Sequence, residues 1–315
     1  MPYTGHIPMK LLNWVPPDQL NWSHISQNPN SANYLEHNPD RIDWQGLSAN
    51  PNAIHILEQN QEHIYWFNLC SNPNAIRLLE RNTDHIYWLV LSQNPNAIHL
   101  LERNQDHIDW SVICLNPRAI KLLEQNQERI HWRYLCQNPN AIDLLERNQN
   151  HINWHALSCN PNAIHLLEEN LERICWTYLS RNPNAIKILE RNPDLIDWNF
   201  LSMNPNAIHL LERNLDRVDW MLLSRNPNAI KILERNQDFI DWDMLSMNPN
   251  AIELLKHNPQ KINWSMFSHN PNIFVYDYDA MRESYKELKE ELIREIWHPR
   301  RVSRWLDAGM DIDDL

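Results

Sequence analysis

Trp198 to Asp219 reads WNFLSMNPNAIHLLERNLDRVD, and Trp220 begins the same wording again. Tryptophan recurs at 22, 44, 66, 88, 110, 132, 154, 176, 198, 220, 242 and 264, a spacing of 22 that never slips, so eleven full units run from Trp22 to Asn263. A fixed period of this size marks stacked repeats, in which no unit buries its apolar face alone and each contacts only its neighbours. Chain length, 315 residues, therefore says little about domain count.

With the tryptophan as position 1, a unit reads W-x-x-L-S-x-N-P-N-A-I-x-L-L-E-x-N-x-(D/E)-x-I-x. The second half predicts a helix. Asparagine at position 7 (Asn94, Asn116, Asn204) suits an N-cap, the proline after it needs no N–H there, and A-I-x-L-L-E follows with helix formers. Asparagine at position 17, from Asn38 to Asn258, suits a left-handed C-terminal stop in a chain with only three glycines. The first half is open between two readings. As a helix, it is capped by the asparagine at position 17, carries an acid in its first turn, and buries isoleucine, tryptophan and leucine. As a strand, it uses the period-two spacing of Ile196 and Trp198 and keeps Asp197 out of the buried arc. The apolar residues at position 3 (Val112, Tyr134, Phe200, Leu222) favour the helix. The expected fold is an all-α repeat solenoid of short helix pairs, one unit per turn, with terminal caps; the alternative is a leucine-rich-repeat-like α/β solenoid.

Residues 1–21 read as an N-terminal half-repeat that caps the array, 22–275 as the solenoid with a degenerate last unit, and 276–315 as a helical C-terminal cap. In that tail Met281, Tyr285, Leu288, Leu292 and Ile296 fall at three- and four-residue steps, and Pro299 opens a further helix carrying Val302, Trp305 and Leu306, ended by Gly309. The stripe is long enough to serve a partner, so self-association through these helices is a second use for it.

A formal charge of −12 argues against general affinity for phosphate backbones, and nucleic acid is not the expected partner. Five cysteines without CxxC spacing give neither a disulfide framework nor a zinc site and favour a reducing compartment. Neither a leader nor a membrane-length apolar run is legible, so the expectation is a protein of cytoplasm or particle that is not secreted, with the sequons at Asn21 and Asn263 unused.

Histidine precedes glutamate by three residues in several units (His55/Glu58, His99/Glu102, His165/Glu168, His209/Glu212), as a metal site on a helix would need. Elsewhere that slot holds Arg77, Lys121, Asp143 or Glu253, so it behaves as solvated surface and no metal is expected. The glycines are too few and too scattered for a phosphate loop, and a serine recurring on every rung (Ser92, Ser180, Ser224, Ser246) is packing and not a nucleophile. No catalytic residue, cofactor or enzyme activity is expected.

Charge is the feature that points outward. Positions 12 and 16 would align on stacking into a basic ridge of Arg77, Arg81, Arg103, Lys121, Arg147, Lys187, Arg191, Arg213, Lys231 and Arg235, while positions 19 and 22 would form an acidic one. Helix dipoles explain part of this pattern. The rest reads as an extended surface for an acidic protein partner.

The unit IDWxxLSxNPNAIxLLExN resembles the tandem repeats of a largely uncharacterised group of proteins from large and giant double-stranded DNA viruses. The likeness runs from Trp22 into the tail, where Tyr276-Asp277-Tyr278 and Trp297-His298-Pro299-Arg300-Arg301-Val302 look like their closing segment. It implies a viral, non-enzymatic scaffold that presents a solenoid surface to viral or host proteins, in host cytoplasm or virion. A structural virion component, a strut or cement, is the alternative. Local departures are Arg118 for the second asparagine of NPN, Lys256 for the repeat glutamate, and Ser31-Ala32-Asn33-Tyr34 in the first unit.

Overall fold

A computed structural model describes residues 7–309 of the chain. The array is a helical solenoid of stacked units, and strands occur only at its two ends among the described residues. Most units hold two short α-helices, as in Trp198–Ser202 and Ile208–Glu212, with a 3-10 helix in place of one of them in the units at Trp110 (Ile113–Leu115) and Trp264 (Pro271–Ile273), and most add a one-turn 3-10 helix before the next tryptophan, as in Pro193–Leu195.

The local structure follows from a few side chains whose roles differ from the expected ones. Where position 22 is aspartate it caps the first helix: Asp197, Asp219 and Asp241 accept from the backbone N–H of Phe200, Leu222 and Met244, whereas Tyr65, Tyr87, His131 and Cys175 at the same position make no cap bond. The aspartate therefore precedes the helix and never enters its buried arc. Ile196 (φ −68°, ψ 127°) and Asp197 (φ −85°, ψ 103°) form a two-residue extended link, which is the origin of the period-two signal. Asparagine at position 17 is not left-handed, since no non-glycine residue among those described has positive φ. Its side chain ends the helix differently: Asn192 Nδ2 donates to the Ile188 carbonyl four residues back, at 2.8 Å.

Asparagine at position 7 is no N-cap either. Asn204 Oδ1 accepts from the Asn206 N–H at 3.0 Å, folding its own turn, while Nδ2 donates to the carbonyls of Ser180 (3.1 Å) and Asn182 (2.9 Å) in the preceding unit. Repeated along the array, this makes a buried amide ladder that fixes the register between units. Each bond is worth about 1 kcal/mol net, and more if its buried partner is left unpaired. Serine at position 5 adds a second tie: Ser202 Oγ donates to the Trp198 carbonyl (2.8 Å) and accepts from the Asp219 N–H (3.0 Å). Where Cys70, Cys114 and Cys136 replace it, sulfur accepts the same N–H at 3.2 to 3.3 Å. Between the helices lies one continuous apolar core, with Leu201, Ala207 and Leu211 fully buried.

The two helix layers are spaced differently. First helices nearly touch: a Cβ on Gly46 would lie 2.7 Å from the Ser23 carbonyl oxygen of the unit before. Second helices are bridged across units by long side chains, such as His55 to Glu36. The array therefore curves with first helices inside and second helices outside, and the curve closes. Asn28 Nδ2 donates to the Asn270 carbonyl (3.0 Å), Asn30 Nδ2 to that of Pro271 (2.9 Å), and the Asn21 N–H to Ser268 Oγ (2.9 Å). These are the bonds that join neighbouring units, so the unit beginning at Trp264 stacks on the one beginning at Trp22, and twelve units form a ring.

The terminal segments expected to cover open ends instead meet each other. Strand β1 (Met9–Leu11) pairs antiparallel with β2 (Phe274–Tyr276), with Met9 opposite Tyr276. Trp14 packs against Phe267 and Tyr34 against Phe274, at centroid distances of 5.7 and 5.6 Å. Helices Tyr278–Ile296 and Pro299–Asp307 follow, largely exposed, with Leu292, Trp297 and Leu306 facing solvent. Residues 1–6 of the expected N-terminal cap, residues 310–315, and the side chains of Tyr285 and Leu288 lie outside the described residues. Among the described residues no helix is long and apolar enough to cross a membrane.

Candidate interaction surfaces

The ring offers an outer wall, an inner wall and a rim. All ten ridge residues, from Arg77 to Arg235, are exposed and lie on or at the end of the second helices, hence on the outer wall. The expected ridge exists as a column, but a column of glutamates at position 15 runs beside it. Arg147 pairs with Glu124 of the preceding unit, and Arg191 lies 3.7 Å from Glu168. Histidines of the ridge positions do the same: His55, His99, His165 and His209 reach Glu36, Glu80, Glu146 and Glu190 at 2.6 to 2.8 Å. The partner of each histidine is thus the glutamate of the unit before and not the one three residues on. Of the ten ridge cations, Arg147 and Arg191 pair in this way among the described residues, and no group of three metal-ligating side chains occurs among them. Arg118 keeps to this logic, since its guanidinium reaches Asn96 Oδ1 at 2.7 Å, one unit back along its own column.

On the rim, position 20 lies flat over each unit's own tryptophan. His63, His85, His107 and His151 stack on Trp44, Trp66, Trp88 and Trp132 at 4.5 to 4.8 Å. Arg129, Arg173, Arg217 and Lys261 place cations 4.4 to 4.9 Å from Trp110, Trp154, Trp198 and Trp242. These contacts, each worth about 0.5–1 kcal/mol at an exposed site, explain why a half-buried tryptophan is kept on every rung. Position 20 holds histidine, arginine or lysine in nine of the eleven full units, and that was the readable signal for them.

The inner wall is built from positions 2, 3 and 6 of the first helices with position 22 before them. Positions 4 and 5 face the core, as Leu201 and Ser202 do, so positions 2 and 6 point away from it, into the ring. Here the repeat loses its uniformity. Tyr65, Phe67, Tyr87, Leu89 and Tyr134 are exposed on one arc, with Phe67 edge-on to Tyr87 at 5.4 Å. Across the ring the same positions carry Asp197, Asn199, Asp219, Asp241 and Asp243. Of the exposed large apolar side chains in the repeat units, Tyr65, Phe67, Tyr87, Leu89, Tyr134 and Met221 line this wall, Leu171, Leu195 and Phe239 lie on the rim, and none lies on the outer wall.

Titration behaviour follows burial. The Cys114 thiol is pushed up to about 11 mainly by desolvation, and Cys70, Cys136 and Cys159 are raised for the same reason, so these are poor nucleophiles at neutral pH. Asp109 is held below its ordinary value, first by the Ser111 hydroxyl and then by backbone N–H groups, as a capping carboxylate should be.

The fold defines a closed ring of helical repeats. No protein-family model, no curated protein and no solved structure matches the chain.

Proposed function

We propose that the chain is a non-enzymatic protein-interaction ring that holds a protein segment against its inner wall, in the infection cycle of a large DNA virus whose repeat proteins it resembles. The observation that carries this reading is the apolar patch of Tyr65, Phe67, Tyr87 and Leu89, exposed on a concave surface, with Tyr134 two units further on past Asp109 and Ser111. Contiguous apolar patches are costly to leave in water and usually mark an interaction site. On the outer wall, in contrast, Arg147, Arg191 and four histidines of the column are already engaged by glutamates of the preceding unit.

The opening suits a protein. Twelve helices spaced about 9 Å apart make a circle roughly 35 Å across, and the helices' own width leaves about 20 Å clear, room for one or two α-helices of about 10–12 Å. The wall's charges argue against nucleic acid: Arg133, Arg181 and Arg225 stand against Asp43, Asp109, Asp197, Asp219, Asp241 and Asp243. An amphipathic segment with its apolar face on the aromatic arc fits this chemistry.

The test is affinity capture from infected cells with three versions of the full chain: native, Phe67→Asp with Leu89→Asp on the inner wall, and Arg103→Glu with Arg147→Glu on the outer wall. Partners kept by the outer-wall variant and lost by the inner-wall variant are expected. The opposite pattern would return the site to the ridge. Fixed stoichiometry in purified particles, unaffected by either variant, would instead make the chain a structural part of the virion.

A further inference from the structure

We propose that the seam between the last and first units is the ring's gate, and that mild acid opens it through the stacked pair His24 and His269. This goes beyond the binding reading and stands whether or not the inner wall takes a protein.

The seam differs from the other eleven interfaces in two ways. Each of those joins units that the chain links covalently, so parting one strains the linking segment. Across the seam nothing is covalent: the contact rests on the amide ladder, the paired strands and side-chain packing. It can part while every other interface stays formed.

The second difference is chemical. Position 3 of each unit meets position 6 of the unit before, as Gly46 meets Gln27. Equivalent positions elsewhere hold pairs such as Val112 and Gln93 or Met266 and Met247, and only the seam holds two histidines. Their ring centroids are 3.6 Å apart at a tilt of 35°. His24 Nδ1 donates to the Ser265 carbonyl (2.9 Å), whereas His269 Nδ1 is buried without a hydrogen-bond partner. Desolvation first, and then His24, depress the His269 imidazole below its ordinary value, with the Ser265 carbonyl offsetting part of this.

Charges on the surrounding elements do not relieve a protonated pair. From the terminal segments, Lys10 is already engaged by Asp277 (3.2 Å) and Asp279 (3.8 Å), and Asp18 lies 4.0 Å from Arg41. From the first unit, the Asp43 carboxylate caps the next helix at Gly46, on the side away from the seam. Among the described residues no ion pair reaches either imidazole. The clasp's own ion pair does not open it in mild acid, because Asp277 is held below the usual carboxylate range.

The sign follows by linkage. A histidine whose folded value is depressed binds fewer protons when the seam is closed, so the seam is firmest above the ordinary histidine value and weakens as pH falls below it. A ring that opens this way can close around a chain that has no free end near it.

Hydrogen–deuterium exchange on the full chain tests the gate, at about pH 8 and about pH 5, either side of the ordinary histidine value near 6.5, corrected for intrinsic exchange. Seam reporters are the amides of Asn21, Leu12 and Asp277, bonded to Ser268, Ile273 and Pro8. Interior reporters are Asp43, Asp197 and Asp219, bonded to Ser26, Ser180 and Ser202, the position-5 serines seventeen residues before them. A severalfold loss of protection at the seam in acid is expected, with the interior unchanged. The double variant His24→Asn, His269→Gln uses residues already present at those positions, Asn68 and Gln27, and should hold the seam closed at both pH values. Loss shared equally by seam and interior, no loss at the seam, or an unchanged acid response in the double variant would overturn the proposal. Interior protection in the variant at the higher pH verifies its folding.

Discussion

Eleven interfaces of this ring and its twelfth are made with the same kinds of bonds, yet they do different work. Inside the array the Asn160 side chain joins two carbonyls of the unit before, and at the seam Asn28 reaches the Asn270 carbonyl in the same way. In the interior the chain holds the partners together and the ladder only sets their register. At the seam the ladder must also offset the entropy of bringing together segments more than two hundred residues apart, a cost that grows slowly with length. A repeat can thus afford closure because the last interface is one more copy of a contact it has already optimised, reinforced locally by the β1–β2 pair.

The largest effect that would separate the two kinds of interface comes from the ladder itself. Asn160→Leu removes bonds to Cys136 (3.0 Å) and Asn138 (2.9 Å) and the acceptor of the Asn162 N–H; the Asn138 carbonyl keeps the Ala141 N–H while the buried Cys136 carbonyl loses its amide partner, a loss of about 3 kcal/mol. A large fall in the urea midpoint, followed by tryptophan fluorescence, is expected. Asn28→Leu at the seam should lower that midpoint far less and instead raise the radius of gyration in small-angle scattering, since the ring can open without unfolding. Equal midpoint losses would show that the ring unfolds only as a unit and that the seam has no separate life.

Much of the ring was legible beforehand. The 22-residue period, the helix at I-x-L-L-E, the small buried side chains at position 5 and the polar outer wall all follow from which residue types recur. What was misread shares one cause: asparagine and aspartate each have several local uses, and sequence alone does not choose among them. Asn204 looked like a cap and is a tie between units; Asn192 looked like a left-handed stop and bonds back to Ile188; Asp197 looked like an intrusion and is the cap. Closure was hidden for another reason. It depends on a small rotation per unit summed over the whole array, and no single residue records that rotation. The one available hint was that the last unit keeps Asn270 and Asn272, and the first keeps Asn28 and Asn30, where a solenoid with free ends would let the ladder lapse.

A smaller effect, confined to the seam, follows from its apolar packing. Phe274 is almost fully buried against Tyr34 at the ring's junction, and Phe274→Ala should cost about 3 kcal/mol. That loss belongs to the clasp, so faster exchange at the Leu12 and Asp277 amides is expected while the Asp197 and Asp219 amides keep their protection. Faster exchange across the interior as well would mean that curvature is held in place by closure and relaxes when the ends part.

The smallest effect concerns the ion pair over the clasp. Lys10 and Asp277 approach to 3.2 Å but remain in contact with solvent, so Lys10→Met should lower stability at neutral pH by no more than about 0.5 kcal/mol. Its clearer signature is in titration. Asp277 is held below its ordinary value first by the Ala280 backbone N–H it caps, and then in part by Lys10. A depressed carboxylate contributes stability that is present above its ordinary value and lost as pH falls through the folded one. Removing Lys10 should move the Asp277 midpoint upward, toward but not reaching the usual carboxylate value, because the helix cap remains; an NMR titration of the Asp277 carboxyl measures this. A midpoint unchanged by Lys10→Met would assign the whole depression to the cap, leaving the amide ladder, the two strands and the aromatic packing to hold the ring shut.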